Sequence, residues 1–298
     1  MPSVNFGRCG LCRQDADLQE SHLIPHFAVR RFYATSPTGA SRSVGEPNHR
    51  IQTAFTKRFL CRACEDLFQT REKRWAETVD RPIAERRLAP FTCEEDHRYF
   101  AASLAWRIMA WGFSNAGEDG FTAIEQNAIG AARSSLAAYL RGFAPHPDRF
   151  PWHHLVIPPD GFTLNAPEGL NVYLHGALDP TMNADGNSIY CIANLAGYLV
   201  VSIIAINLEH LITWTLGSEL RPGLRNTCNR RYFPKDPTFR SIVAWRAGAL
   251  VESNSRLTSR QLEVVKRRVE AVPRESLRSN PHVIAHLTDI VNKRARRK

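Results

Sequence analysis

The sequences Cys9-Gly-Leu-Cys12 and Cys61-Arg-Ala-Cys64 decide how the first third of this 298-residue chain can fold. Within one Cys-x-x-Cys pair, two thiolates reach a single ion while backbone N–H groups of the turn donate hydrogen bonds to the sulfur atoms. Two such pairs complete the tetrahedral four-thiolate site that is typical of structural zinc. Because residues 13–60 outnumber the short loop of a zinc ribbon, we expect further structure to be built between the two pairs.

Two other uses of these thiols stay open from the residues alone. A redox Cys-x-x-Cys pair requires a βαβ context, which the surrounding sequence lacks, and four free thiols at this spacing would be a coincidence. The remaining cysteines, Cys93, Cys191 and Cys228, have no partner at ligand spacing and are predicted to be small buried apolar residues. The cysteine count of seven is odd and the N-terminus has no basic, apolar leader, so we expect a cytoplasmic protein whose thiols bind metal.

A second group of residues is arranged around the cysteine pairs. Glu20-Ser-His22-Leu-Ile-Pro25 begins eight residues after Cys12, and Cys64 is followed at once by Glu65 at the start of a predicted helix. This order resembles the zinc-bracketed HNH, or His-Me finger, endonucleases, most closely a variant group with Ser-His in place of Asp-His and Cys-Glu in place of Cys-His. The resemblance covers about residues 5–80 and implies an N-terminal zinc-bracketed ββα module.

The same resemblance implies chemical roles for four residues. His22 corresponds to the general base that activates water against a phosphate, and Glu65 projects toward a divalent ion, Mg²⁺ or Mn²⁺, that binds this phosphate. Imidazole titrates near neutral pH, and a hard cation neutralises the charge that develops on phosphate oxygens. Ser21 stands where the family has an acidic residue. Glu20, which shares a strand face with His22 by period-two alternation, is therefore an alternative support for the metal.

The implied function is metal-dependent hydrolysis of phosphodiester bonds in DNA, in preference to RNA, in a bacterial defence or mobile-element setting. The alternative is a non-catalytic zinc module that binds nucleic acid or a protein partner and whose HNH metal site has decayed. In that case His22 stabilises the turn before Pro25, and Glu65 only interacts favourably with a helix N-terminus. The alternative is favoured by the absence of the family's Asn shortly before Cys61, since position 56 is Thr.

The charge of the chain points to a polyanionic partner. Lys and Arg number 39 against 29 Asp and Glu, and residues 221–298 alone carry 19 basic and 6 acidic side chains. Arginine pairs bidentately with phosphate oxygens, although a run of charge is also typical of a solvated surface. The candidate contacts with nucleic acid lie beside the presumed site and in the C-terminal tail: Arg30, Arg31, Lys57, Arg58, Arg294, Arg296 and Arg297.

The patterning predicts an α+β fold with two parts, a zinc-bracketed module over residues 1–97 and a larger mixed domain over residues 98–298. Helices are predicted at 98–113, from the capping box at Thr122 to residue 140, at 258–272 and at 281–292, and the C-terminal helices and the tail after them are together basic. Short apolar runs predict the strands of an antiparallel sheet at 155–157, 170–174, 190–193, 198–206 and 242–245.

The most apolar stretch, residues 189–206, is long enough to raise the question of a membrane helix. Asn194, Gly197 and Ser202 interrupt it, and β-branched residues are frequent. We therefore predict two buried strands that meet near Gly197 and no membrane partner. A homo-oligomer is compatible with the sequence.

Overall fold

The computed structural model describes residues 5–39, 41–51, 55–85, 90–115, 120–147, 152–156, 167–185, 188–205, 219–226 and 234–295. The strands in these ranges are β1 Phe6–Arg8, β2 Asp15–His22, β3 Ser41–Arg42, β4 Arg50–Ile51, β5 Thr56–Cys61, β6 Phe91–Thr92, β7 Trp152–Val156, β8 Leu178–Ala184, β9 Ile189–Leu195, β10 Tyr198–Ala205 and β11 Arg225–Asn226. The helices are α1 His26–Thr35, α2 Arg62–Trp75, α3 Arg81–Ala84, α4 Glu95–Asn115, α5 Ala123–Leu140, α6 Leu170–Gly176, α7 Pro237–Ser255, α8 Ser259–Glu270, α9 Arg274–Ser279 and α10 Pro281–Ala295. The predicted combination of helices with antiparallel sheets and an N-terminal cysteine cluster is confirmed.

The N-terminal sheet has the strand order β1-β2-β5, and both of its pairings are antiparallel. The chain between β2 and β5 contains α1 and the small β3–β4 hairpin, as the length between the cysteine pairs predicts. Helix α2 begins directly after β5, with Cys61 as its N-cap. The end of β2 is therefore held beside the start of α2, and His22 pairs with Thr56 in the ladder.

The larger sheet has the order β7-β10-β9-β8, again antiparallel throughout. Strands β9 and β10 are buried along almost their whole length and are joined by Ala196 and Gly197, whose φ angles are 54° and 144°. The latter value favours glycine, because a side chain is strained there. The predicted pair of buried strands meeting near Gly197 is confirmed.

Helices cover both faces of this sheet. Alternate residues of β9, among them Cys191 and Ala193, face the large core that includes α1, α2, α4 and α5. The residues between them, Tyr190 and Ile192, pack with α6 and α7 in a second core. Since side chains alternate between the faces of a strand, the apolar residues of β9 contribute to both cores.

The large core crosses the predicted domain boundary at residues 97 and 98. Trp75 of α2 stacks on Phe100 of α4 with ring centroids 4.4 Å apart, and α4 already begins at Glu95. The basic C-terminal helices also contact the first forty residues, where Arg268 donates to the carbonyl oxygen of Thr38 at 2.6 Å. The two predicted parts therefore share contacts and a common core.

Two of the predicted strands are wrong. Residues 170–174 form most of α6, and residues 242–245 lie inside α7. A run of four or five apolar residues is too short to reveal its period, so it fits a helix as well as a strand, whether it is buried throughout like residues 170–174 or partly exposed like residues 242–245. The start of α7 carries a local signal, since Asp236 caps the helix and accepts a hydrogen bond from the Phe239 N–H.

The predicted helix starts are confirmed where side chains cap them. Thr122 and Glu125 form the reciprocal hydrogen bonds of a capping box, and Thr258 accepts a hydrogen bond from the Gln261 N–H.

In the described part of the chain, no helix combines the length and apolar character needed to cross a membrane.

Candidate metal centre and adjoining polar site

The two cysteine pairs come together at the edge of the N-terminal sheet. The sulfur atoms of Cys9, Cys12, Cys61 and Cys64 all lie within 4.8 Å of one another. Those of Cys12 and Cys61 are 3.8 Å apart. A disulfide requires about 2.05 Å, whereas tetrahedral Zn–S bonds of about 2.3 Å place neighbouring sulfur atoms about 3.8 Å apart. The geometry therefore fits one bound metal ion such as zinc.

The backbone around these thiols is arranged to stabilise negative sulfur. The Cys61 N–H donates to the Cys9 sulfur at 3.3 Å. Although burial raises the pKa of Cys9, backbone N–H groups of Cys61, Cys12 and Leu11 outweigh it and lower this pKa to about 7. In Cys64, burial and the neighbouring thiols raise the pKa, as expected when several thiols crowd together. A bound cation relieves that crowding because it favours the thiolates.

A close backbone contact explains the glycine of the first pair. The Gly10 N–H donates to the Phe59 carbonyl oxygen at 2.7 Å, which ties the first turn to β5. A Cβ atom at Gly10 would lie 3.0 Å from the Phe59 ring and 3.2 Å from its carbonyl oxygen. A larger residue here would therefore push the two cysteine pairs apart.

The other predicted cysteine environments are confirmed for two residues. Cys93 and Cys191 are buried, and burial raises the pKa of Cys191. Cys228 lies outside the described residues.

The polar site lies at the end of β2. His22 is half-buried, and its ring lies 5.6 Å from that of the exposed His26. Burial lowers the pKa of His22, and the charge of His26 lowers it further, while Glu72 and Glu20 raise it. Burial therefore favours the neutral imidazole, which is the form that accepts a proton.

Glu65 projects from the first turn of α2. Its carboxylate lies near the hydroxyl of Ser21, which is 1% exposed and donates to the Gln19 carbonyl oxygen at 3.4 Å. Burial raises the pKa of Glu65, whereas Ser21 and Arg107 lower it. Its Oε1 atom is buried and has no hydrogen-bond partner among the described residues. Such an atom is costly unless a cation or water binds it, so it marks the point where a further ligand fits.

Arg107 is the functional residue that sequence reasoning missed. It lies on α4, is 3% exposed, and forms an ion pair with Glu72 of α2 at 2.7 Å. It also donates to the His22 carbonyl oxygen at 2.8 Å. Because this one side chain contacts β2, α2 and α4, it holds the end of β2 in place. The sequence feature that could have identified Arg107 is its charge inside the otherwise apolar helix predicted at 98–113.

Glu20 and Ser21 have different positions from those expected. Glu20 is exposed, and its neighbour across the β2–β5 ladder is Arg58. The register of this ladder shifts at a bulge between Gln19 and Glu20. Ser21, not Glu20, contacts Glu65. The extra residue of this bulge is Phe59 in β5, so the side chains of β2 keep their alternation, with Ser21 buried between the exposed Glu20 and the half-buried His22.

The predicted nucleic-acid contacts fall into separate groups. Arg30 is exposed on α1, and Lys57 and Arg58 are exposed on β5, where they line a cavity. Arg294 lies in α10 with no side chain described, and Arg296 and Arg297 lie outside the described residues.

Arg31, the remaining predicted nucleic-acid contact, lies inside the protein. Its guanidinium group pairs with Asp80 at 2.7 Å and donates to the carbonyl oxygens of Leu195 and Ala196. The Arg31 side chain is 14% exposed. Its donors are therefore used inside the protein.

In the described ranges, the four cysteines are the only group of three or more His, Cys, Asp or Glu residues whose ligand atoms lie that close together. The polar site therefore offers a divalent ion few protein ligands. Mg²⁺ commonly keeps several waters and binds through one or two carboxylates, and Glu65 supplies one carboxylate here.

Comparison with models of known families, with curated proteins and with solved structures finds no match to this chain.

Proposed function

We propose that this protein is a metal-dependent endonuclease of the HNH type that hydrolyses phosphodiester bonds of DNA. One observation carries the proposal. The Ser21 hydroxyl at the end of β2 lies near Glu65 in the first turn of α2, next to the cysteine cluster, and Glu65 Oε1 is buried without a hydrogen-bond partner among the described residues. A candidate base and a candidate metal ligand thus belong to one strand–strand–helix unit.

The roles follow from the chemistry of the side chains. His22 accepts the proton of the attacking water, and Glu65, supported by Ser21, holds a divalent ion. That ion would neutralise charge on the phosphate oxygens. Arg107 is a positioning residue, because its hydrogen bond to the His22 carbonyl oxygen fixes the strand end that carries the base. Zinc at the cysteines would hold β5 and α2 in register with β2.

The first experiment compares two neighbouring histidines. With Mg²⁺ or Mn²⁺ and a plasmid substrate, His22→Ala should lose cleavage by roughly a hundredfold or more, because a general base acts mainly on the transition state. His26→Ala is the matched control, since His26 is exposed nearby, and it should keep most of the activity. Both variants should retain zinc. Equal activity of His22→Ala and wild type would contradict the assignment of the base.

A second comparison tests the metal ligand. Glu65→Gln removes the charge of the ligand but leaves His22 in place, so it should require a higher Mg²⁺ or Mn²⁺ concentration for half-maximal cleavage. Asp66→Asn is the control, because Asp66 is exposed and pairs with Arg62 at 3.0 Å. A change of the same size in both variants would contradict the assignment.

The non-catalytic zinc module remains the second candidate function. It is favoured by Ser21 in place of an acidic ligand and by the small number of ligands at the polar site. If the zinc-loaded protein binds DNA or RNA but cleaves neither with any divalent ion, this candidate replaces the endonuclease.

A further inference from the structure

A cavity of about 470 Å³ opens between the first cysteine pair, β5, α4 and α5. Its volume lies within the range of about 300–1,000 Å³ that is usual for ligand sites. Its cationic lining residues come from four separate segments: Arg8, Arg13, Lys57, Arg58, Arg133 and Arg141. Among the described residues that line it, there is no carboxylate. Like charges gathered in this way repel one another and favour a bound polyanion.

The contacts of these cations are consistent with that charge excess. Arg8 donates to the Arg13 carbonyl oxygen at 3.0 Å, and Arg58 donates to the Leu18 carbonyl oxygen at 3.2 Å. A carbonyl oxygen orients a guanidinium group but does not cancel its charge. Burial lowers the pKa of Arg133, and the charge of Arg13 lowers it further, so these two cations are close enough to repel.

Aromatic rings form the other part of the lining. Trp106 is buried at 1% exposure and stacks on Phe59 with ring centroids 5.9 Å apart and ring planes at 13°, while Lys57 lies 5.4 Å from the centre of the partly exposed Trp111 ring. Phe143 is 70% exposed, with Arg141 lying 4.3 Å from its ring centre. Arginine beside exposed aromatic faces suits a ligand that offers both phosphates and flat rings. An acidic peptide would use the cations but leave the rings exposed.

We propose that this cavity binds an unstacked nucleotide of single-stranded nucleic acid, with its phosphates on the arginines and its base on the aromatic side chains. A duplex does not offer the faces of its bases, whereas a single strand does. This inference rests on the proposed function, because the choice of nucleic acid as the ligand follows from the proposed endonuclease activity. Lys57 pairs with Ser21 across β5 and β2, so a strand held in the cavity lies beside the candidate site. Binding, however, is measurable without cleavage.

The direct test uses zinc-loaded full-length protein without added Mg²⁺ or Mn²⁺. The probe is a labelled oligothymidylate of about 12 nucleotides, within the ~4–16 nucleotides that single-strand-binding folds cover. We expect it to bind more tightly than a blunt hairpin duplex, ATP or a polyglutamate peptide. Because Trp106 and Trp111 line the cavity, binding should also quench tryptophan fluorescence. Equal affinity for the duplex, ATP or polyglutamate would overturn the proposal.

Single substitutions test whether the oligonucleotide binds in this cavity. Phe143→Ala, at an exposed position, should weaken binding by about fivefold or more, as expected for the loss of one stacked base. Trp245→Ala is the matched control, because Trp245 is 59% exposed, lies 5.0 Å from Arg246 and is outside the cavity lining. If Phe143→Ala and Trp245→Ala bind the oligonucleotide equally well, the proposal fails.

The charged residues have a separate readout. Arg133→Gln should make the slope of log K against log salt shallower by about 0.7, the value for one phosphate contact in a single strand. Arg260→Gln, exposed on α8, should leave this slope unchanged. Equal slopes in the two variants would overturn the phosphate contact, provided that zinc content and thermal unfolding match wild type.

The failures of the two proposals can be told apart. If wild type cleaves nothing and Phe143→Ala still weakens oligonucleotide binding, the endonuclease fails while the cavity assignment stands. If His22→Ala abolishes cleavage and the cavity variants bind like wild type, the cavity assignment fails instead.

Discussion

The two sheets of this protein are stabilised in different ways. In β2, exposed and partly buried residues dominate, and Ser21 is the buried residue of the strand. Its neighbourhood is held by the cysteine cluster. In β9 and β10, nearly every residue is buried between two layers of helices. A metal ion at the cysteines would add ligand bonds to a sheet whose strand β2 has few buried residues, whereas the sheet covered on both faces is held by packing.

A buried polar chain connects the two regions. Arg31 of α1 donates to carbonyl oxygens at the β9–β10 turn and pairs with Asp80. Tyr198 donates to Asp80 at 3.0 Å and accepts from Trp75 at 2.9 Å. The N-terminal segment is therefore fastened to the larger sheet by oriented hydrogen bonds.

The largest expected effect is the loss of the metal. Cys61→Ser should release zinc and unfold β1, β2 and the start of α2, since structural zinc contributes about 10–16 kcal/mol in small zinc-binding peptides. Elemental analysis and hydrogen exchange measure both consequences. Cys191→Ala, in the larger sheet, should keep the zinc and cost about 1 kcal/mol. Zinc content unchanged in Cys61→Ser would remove the basis of the comparison.

The connection between the regions is tested by two adjacent arginines. Arg31→Met should lower the free energy of unfolding by about 3–5 kcal/mol, because it leaves the buried Asp80 carboxylate without its cation. Arg30→Met should change it by less than about 0.5 kcal/mol, because Arg30 is exposed. Denaturant unfolding gives both values. Similar losses in the two variants would mean that the polar chain does not fasten the regions.

The packing of the larger sheet has its own test. Ile192→Ala should cost about 2–5 kcal/mol through the cavity that it leaves between β9 and the helices on that face, with zinc content unchanged. Ile124→Ala, at a position 78% exposed, is the control and should have little effect. Loss of zinc in Ile192→Ala would show that the two regions do not respond separately.

The smallest expected effect is a dependence on pH at the contact between α10 and α1. Burial, together with the charges of His286 and Arg31, lowers the pKa of His282 from 6.5 to about 4. Below pH 6.5 the unfolded chain takes up a proton that the folded protein resists. Stability should therefore fall between pH 6.5 and 4, by about 3 kcal/mol at most.

Thermal unfolding of wild type and His282→Gln at pH 7 and pH 5 measures this contribution, because His282→Gln should lose part of the dependence. His286→Gln is the control, since His286 is exposed and should leave most of the dependence in place. An identical pH dependence in wild type and His282→Gln would contradict the assignment to His282.

The sequence predicted the candidate site in part. The cysteine cluster was predictable because each pair spans a single turn. The proximity of Ser21 to Glu65 depends on how β2 packs beside α2, and the hydrogen bond from Arg107 to His22 joins residues far apart in the chain. Patterns in the sequence do not specify which distant helix will contribute a buried guanidinium group.

The sequence by itself determined the features that depend on residues within one or two turns. These are the two cysteine pairs, the caps at Thr122 and Thr258, and the chain reversal at Gly197. Local spacing suffices there, because the interacting atoms are already close along the chain.

Only the tertiary structure decided that residues 170–174 and 242–245 are helical, that Arg31 is buried while Arg30 is exposed, and that cations from β1, β5 and α5 line one cavity. Each of these outcomes depends on the surface against which a segment packs. A run of four or five residues is too short to reveal its period, and long-range contacts decide which charges are paired inside and which remain available to a ligand.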